Sequence, residues 1–493
     1  MSNSNNKNNG ARRKELMPTT MAERKTGKFG FISIYISMSV MIAIFSLGGE
    51  SIKEISLAYV GLAAFIGIFV FGILMTLVGD IGTEHGLPFP IYARAPFGPI
   101  GSFVPSMARS ILGCIWFGIQ SYYAALAVNF IVVELTGFDN MILWYVVLIV
   151  VQTVNVAMGF KAIENFANLA APCIIIISVY LFYTISTTAR ANGIDLWNSI
   201  VGGGTPQFET FSSFLAVFLP ISFYSISFWS THSVDPQNLT RYIKTPMNER
   251  NWFKRNFNTM WGHMIALAIG SAFMIMLGAS SFLVLGNWNP VEAIQTIAGG
   301  PLLVVLLILV IFAQWSTNIS ANLLPPAMTF LNIGKKYISY KTAVFLVGII
   351  ALFMQPWYII GNFLSFLGVM SAVYGPIAGI SVVDYYILRK RCLNVQDMYK
   401  DDAGQYNGYK GWNIAGMIGL AVGFVTANIW TDYGFAVGAI LGALAYYVTG
   451  KYWWFKKHKQ VEIENYNEKF LGMSVGHIWE IDEEQVSTEK SLQ

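Results

Sequence analysis

Ala313-Gln-Trp-Ser-Thr-Asn-Ile-Ser-Ala-Asn322 follows the apolar run Pro301 to Phe312 and leads into Leu323-Leu-Pro-Pro326. Polar side chains at membrane depth are expensive, so they face a bundle interior or a pathway. At ~100° per residue, Ala313, Ser316, Thr317 and Ser320 share one helix face, while Asn318 and Asn322 share a neighbouring one. One face offers hydroxyls suited to a small hard cation, the other amides suited to a polar solute. The plain alternative is that the hydroxyls bond back to the preceding turn and the amides join helices. The density of polar groups favours a site.

Apolar stretches of similar length recur along the whole chain. Of the 493 residues, 55% are hydrophobic and only 12% charged, against about 25% charged in soluble proteins. Such runs predict a polytopic all-α membrane protein, since they are too long for barrel strands. Twelve spans are expected near 29–49, 57–80, 101–135, 141–160, 168–188, 211–232, 258–286, 301–328, 341–360, 361–387, 412–431 and 433–455. The third is too long for one straight crossing. No removable signal peptide is read at the N-terminus. Cys114, Cys173 and Cys392 have no metal-site spacing, so neither a disulfide framework nor zinc is inferred.

Loop charges set the expected orientation. Arg241, Lys244, Arg250, Lys254 and Arg255 lie between spans six and seven, and Lys335, Lys336 and Lys341 between eight and nine. Arg389, Lys390, Arg391, Lys400 and Lys410 lie between ten and eleven. The alternate loops are poor in Lys and Arg. The positive-inside rule therefore puts both termini in the cytoplasm, which requires an even number of spans.

Other polar positions add to the picture. Ser33, Ser37 and Ser39 in span one mark either close helix packing or an unwound segment whose carbonyls hold an ion. Trp116 and Gln120 stand four apart in span three, an indole beside an amide, which suits a flat conjugated solute. Span six is rich in serine and carries Pro220, so a broken helix is expected there, with Trp229 late in it. His232 and Asp235 read as loop residues, and His85, in the loop Asp80 to Pro90, as a solvated side chain. No Asp, Glu, Lys or Arg sits clearly at a span centre, which argues for a neutral solute and for sodium over proton coupling.

The chain resembles the nucleobase–cation symporter family, which includes cytosine, uracil and allantoin permeases, and within it the sodium-coupled hydantoin transporter branch. The resemblance rests on Gly86-Leu-Pro-Phe-Pro90, Arg94-Ala-Pro-Phe-Gly-Pro-Ile-Gly101, Trp116-Phe-Gly-Ile-Gln120 and Asn287-Trp-Asn-Pro290. It continues through Trp315-Ser-Thr-Asn318 to Pro326, Gln355-Pro-Trp357, Gly375-Pro-Ile-Ala-Gly379 and Asp384-Tyr-Tyr386. It implies the five-plus-five inverted repeat of sodium-coupled amino-acid transporters. Residues 28–188 and 211–388 would be the repeats and 412–455 two peripheral helices. The segments 189–210 and 389–411 would be an external and a cytoplasmic loop, and 1–27 and 456–493 a disordered and a polar cytoplasmic tail.

The resemblance also implies a sodium site from the Ser316 and Thr317 hydroxyls with backbone oxygens of Ala313, Ser37 and Val40. The solute would lie between Trp116 and Trp229, read by Gln120 and Asn322, with no direct contact assigned to Asn318. Two positions depart from the hydantoin branch: Met41 replaces a glutamine and Phe228 a glycine, so the solute's size and hydrogen-bond pattern are expected to differ.

The expected protein is thus a multi-pass transporter of the cell membrane. It would import a small planar neutral heterocycle, of nucleobase, hydantoin or allantoin type, by sodium symport and alternating access. The alternative is a proton-coupled or uncoupled permease of the same fold for a nucleobase, nucleoside or related solute. No His cluster, paired carboxylates or phosphate-cradling loop points to an enzyme. No cofactor is expected beyond sodium as coupling ion. The partners are the heterocycle, sodium and membrane lipid, with no nucleic acid or protein partner indicated.

Overall fold

The structure, a computed structural model, describes residues 16–158, 161–246, 249–334, 337–400 and 403–472, without the side chains of 161–174, 313, 316, 320 and 332. Lipid offers backbone groups no partner, so each apolar run closes its hydrogen bonds as a helix. Seven helices are long and apolar enough to cross a bilayer, and the bent pair Lys28–Ser39 and Ile42–Ser51 makes an eighth. Four shorter apolar helices, Ile175–Ala191, Gly300–Phe312, Tyr340–Leu352 and Ile414–Ile429, bring the set to the expected twelve. Spans one to five and six to ten form the two repeats, with eleven and twelve outside them. Five is odd, so the second repeat enters the membrane from the opposite side.

Span one is interrupted, whereas span six, where a break was expected, runs unbroken to Ser233 because the helix passes through Pro220. Span one stops at Ser39, and Val40 (φ −92°, ψ 81°) and Met41 (φ −126°, ψ 140°) leave helical geometry. The chain resumes at an angle of 63°. Both readings of the span-one serines hold at Ser39, which ends the helix at the break and packs against Gly270 of span seven. Beyond the break, Gly48 and Gly278 let spans one and seven touch backbone to backbone. A Cβ at Gly48 would meet the Ile275 carbonyl at 1.8 Å. Span six runs from Phe211 to Trp229 through Pro220 and then tightens over Ser230–Ser233.

Helix packing yields two large cores and two smaller clusters among the described residues. Spans three, four, eight and nine share one large core, through Phe117, Tyr145, Leu323 and Val344. The larger joins spans one, two, five, six, seven and ten with the early part of span eight, and takes the other face of span three through Trp116, Ile119 and Tyr123. Span three, 34 residues from Phe103 to Thr136, is as long as expected and stands on the seam between them.

Several polar residues expected in loops lie instead in helices. Span two continues to His85, and span seven begins at Trp252. Asp80 and Glu84 can stay helical and buried because Arg255 reaches both, at 2.7 and 2.6 Å. His85 is buried rather than solvated, its Nε2 2.9 Å from the Arg391 carbonyl. Asp235 is buried against Arg109 of span three at 3.1 Å. Parts of both expected tails also lie against the helices: Arg24 donates to the Thr83 carbonyl and to Thr245. Glu462 pairs with Arg389 at 2.7 Å, and Arg389 holds Asp384 at 2.8 Å.

Candidate functional site

Where the broken part of span one, span three, the late part of span six and the polar turn of span eight meet, they enclose a cavity on the seam between the two cores. Its wall includes Met38, Met41, Trp116, Phe228, Trp229, Thr231, His232, Thr317, Ala321 and Asn322. The sequence-predicted residues Met41, Trp116, Phe228, Trp229, Thr317 and Asn322 thus converge on one place, although they are spread over more than half the chain.

The cavity leaves only about 10 Å3 for a water-sized sphere, roughly one water. Phe228 is the reason. Its ring lies 5.1 Å from Trp116 and 5.5 Å from Trp229, edge to face with both. Phe363 and Phe366 close on Trp116 at 6.1 and 5.6 Å. Aromatic pairs in such geometry attract one another beyond their buried area, so the rings fill the space between spans three, six and ten.

The polar groups divide into tied and untied ones. Asn322 donates its amide to Asn318 Oδ1 at 3.0 Å. The Asn318 amide nitrogen in turn lies 3.1 Å from the Phe117 carbonyl, 3.0 Å from Ser121 Oγ and 3.2 Å from Gln152 Oε1. Asn318 is therefore a brace that joins spans eight, three and four and orients Asn322. Asn322 keeps its amide oxygen as an acceptor. By contrast, the indole nitrogens of Trp116 and Trp229 and both amide atoms of Gln120 are buried with no hydrogen-bond partner among the described residues. Gln120 is fully buried one turn from Trp116 and does not reach the cavity wall.

For a cation, the fit rests on oxygen donors. Thr317 lies on the cavity wall, which Met38 and Met41 share from either side of the span-one break. The Val40 carbonyl leaves the helix there. The Ser37 carbonyl accepts from the Val40 N–H at 3.4 Å, and a carbonyl has a second lone pair for an ion. Hard oxygen ligands of this kind suit a small hard cation. The side chains of Ala313 and Ser316 lie outside the described ones. Just beyond, Ile319–Leu323 widens to a π turn, a feature common at functional positions because it turns side chains off the regular helical register.

Met38, Thr231, His232 and Ala321 were not anticipated. Helical spacing carried a signal for two of them, since Ala321 follows Thr317 by one turn and Met38 stands three before Met41. His232 had none, because the tight turn after Trp229 rather than a continued helix carries it inward. Its ring packs at 5.6 Å from Trp229, tilted by 43°.

Residues 18–450 match the family described as permease for cytosine/purines, uracil, thiamine, allantoin. The chain is 29% identical over 482 residues to the hydantoin permease of Microbacterium maritypicum, covering 96% of this chain and 95% of that one. It is 27% identical over 471 residues to the allantoin permease of Bacillus subtilis (strain 168), covering 88% and 92%. Among solved structures it is similar to Mhp1, a nucleobase-cation-symport-1 family transporter, in a closed conformation with bromovinylhydantoin bound. That match has a TM-score of 0.78 and 27% identity, covering 91% of this chain and 98% of that one. An inward-facing conformation of Mhp1 matches with the same TM-score and identity, covering 91% and 96%.

Proposed function

We propose, for a chain that belongs to the family of permeases for cytosine/purines, uracil, thiamine and allantoin, the import of a small planar neutral heterocycle together with sodium across the cell membrane. The observation that carries this reading is the single cavity where Trp116, Trp229 and Asn322 face the span-one break and Thr317. The solute lies between the two indoles, with Phe228 displaced and the Asn322 oxygen accepting from a ring N–H. Gln120 supplies a second amide once the rings have moved. The hydantoin and allantoin permeases among its relatives support a lactam ring as the solute.

Sodium is the second substrate. Thr317 and Ser316 supply hydroxyls, and Ala313, Ser37 and Val40 supply carbonyls. An ion bound there draws span eight onto the break in span one and so biases the seam on which the solute site sits. By linkage, the solute must raise sodium affinity by the factor by which sodium raises solute affinity. Alternating access then moves one core against the other around the cavity. The buried carboxylates Asp80, Asp235 and Asp384 are each paired with an arginine, which leaves them poorly suited to carry a proton and favours sodium. Both termini stay on the cytoplasmic side, and membrane lipid surrounds the apolar faces.

Tryptophan quenching of the purified protein by a panel of nucleobases, hydantoins and allantoin, with sodium or with choline, tests the proposal. Quenching by one compound, tightened by sodium and lost in Trp116→Ala, is expected, and Thr317→Ala should abolish the sodium effect. Binding indifferent to sodium would remove the cation half and leave a proton-coupled or uncoupled permease.

A further inference from the structure

Rings and methionines make most of the cavity wall apolar. The groups there able to hydrogen-bond a solute's rim are the side chains of Thr231, His232, Thr317 and Asn322 and the indole N–H groups of Trp116 and Trp229, which can only donate. The cation takes Thr317, and Asn322 has its amide nitrogen committed to Asn318. His232 and Thr231 have no side-chain hydrogen bond among the described residues, and of the two the imidazole alone presents a donor and an acceptor on separate atoms. Asp235, three positions on, does not claim it, because that carboxylate pairs with Arg109 at 3.1 Å. Tilted contact with Trp229 steadies the imidazole beside the place where the solute's face would lie.

An imidazole carries a donor on one ring nitrogen and an acceptor on the other. Asn322 comes from span eight and His232 from span six, and both line the one cavity. We propose that His232 is a solute-contacting, specificity-determining residue, and that the site takes a lactam ring with polar atoms on two edges, one met by Asn322 and the other by His232. This rests on the function proposed above and narrows its solute class. A ring with one polar edge and an apolar substituent on the other would leave the imidazole desolvated and unpaired, which a site discriminates against more sharply than it does a missing methylene.

The test compares two probes on the full-length protein in sodium: allantoin, whose hydantoin ring bears a polar ureido group, and a hydantoin bearing a benzyl group. His232→Leu should weaken allantoin by about tenfold and leave the benzyl compound unchanged or tighter. His232→Gln, which keeps a donor and an acceptor, should recover most of the loss. Equal weakening of both probes, or none in either, overturns the inference. If Trp116→Ala abolishes binding while His232→Leu does nothing, the inference falls and the proposed function stands. If the wild-type protein binds neither probe, both fall.

Discussion

The molecule buries polar side chains in two very different ways. Where spans two, seven and ten meet, Arg255 holds Asp80 and Glu84, Asn256 donates to Asp80 at 2.7 Å, and the Tyr386 hydroxyl adds another donor at 3.1 Å. Arg389 likewise joins Asp384 to Glu462, and the Tyr446 hydroxyl donates to Asp384. Around the cavity, the Trp116 and Trp229 indoles and the Gln120 amide are buried without a hydrogen-bond partner among the described residues. A buried group left unsatisfied costs about 1–3 kcal/mol. Saturated clusters hold helices in place, whereas groups left wanting are poised for something that arrives. Charge and burial alone would have ranked the arginine clusters first as sites; the state of their hydrogen bonds reverses the order.

The sharpest way to break this comparison is to remove an arginine from a saturated cluster. Arg389→Leu leaves Asp384 and Glu462 buried and unpaired, which should cost about 3–5 kcal/mol. The thermal midpoint of the detergent-solubilised protein should fall steeply, while whatever folded protein remains binds solute with unchanged affinity. Unchanged stability would show that water or rearrangement satisfies the carboxylates and that the cluster is no clamp.

A somewhat smaller loss of stability, about 3 kcal/mol, is expected for Phe228→Ala, which leaves a void among the rings. Here binding should move the other way, with bulkier heterocycles admitted and small ones bound faster, as measured by quenching kinetics. If the solute range does not widen, Phe228 is a structural ring and not the plug of the site.

Gln120→Leu gives the smallest effect, and its sign is the informative part. Replacing an unsatisfied amide by an apolar group of similar shape should leave stability unchanged or raise it by about 1 kcal/mol, while solute affinity drops. A fall in stability would mean that Gln120 has a structural partner and belongs with the saturated groups. The braced Asn318 supplies the contrast, since Asn318→Leu should lower the melting midpoint by releasing spans three and four.

The sequence announced the spans, the seam-forming turn at Ala313 to Asn322, and the two tryptophans, because each is a local pattern of apolar length or helical spacing. It concealed the arginine clusters. Arg255 looks like one of several loop cations until Asp80, 175 positions away, is seen to accept its hydrogen bonds. Arg109 was passed over for the same reason, its partner Asp235 lying 126 positions on. His85 read as solvated and His232 as a loop residue because nothing within a few residues required them to be buried.

What the sequence by itself determined was therefore the number and order of the helices and the break-prone stretch in span one. In lipid every backbone bond must close locally, and local composition is what a sequence displays. Only the tertiary structure decided which faces of those helices meet. It placed Gln120 behind the wall and His232 on it, drove Phe228 between the tryptophans, and turned isolated charges into closed clusters. The rotation of a helix about its own axis is set by the neighbours it packs against, and those neighbours are remote in the chain.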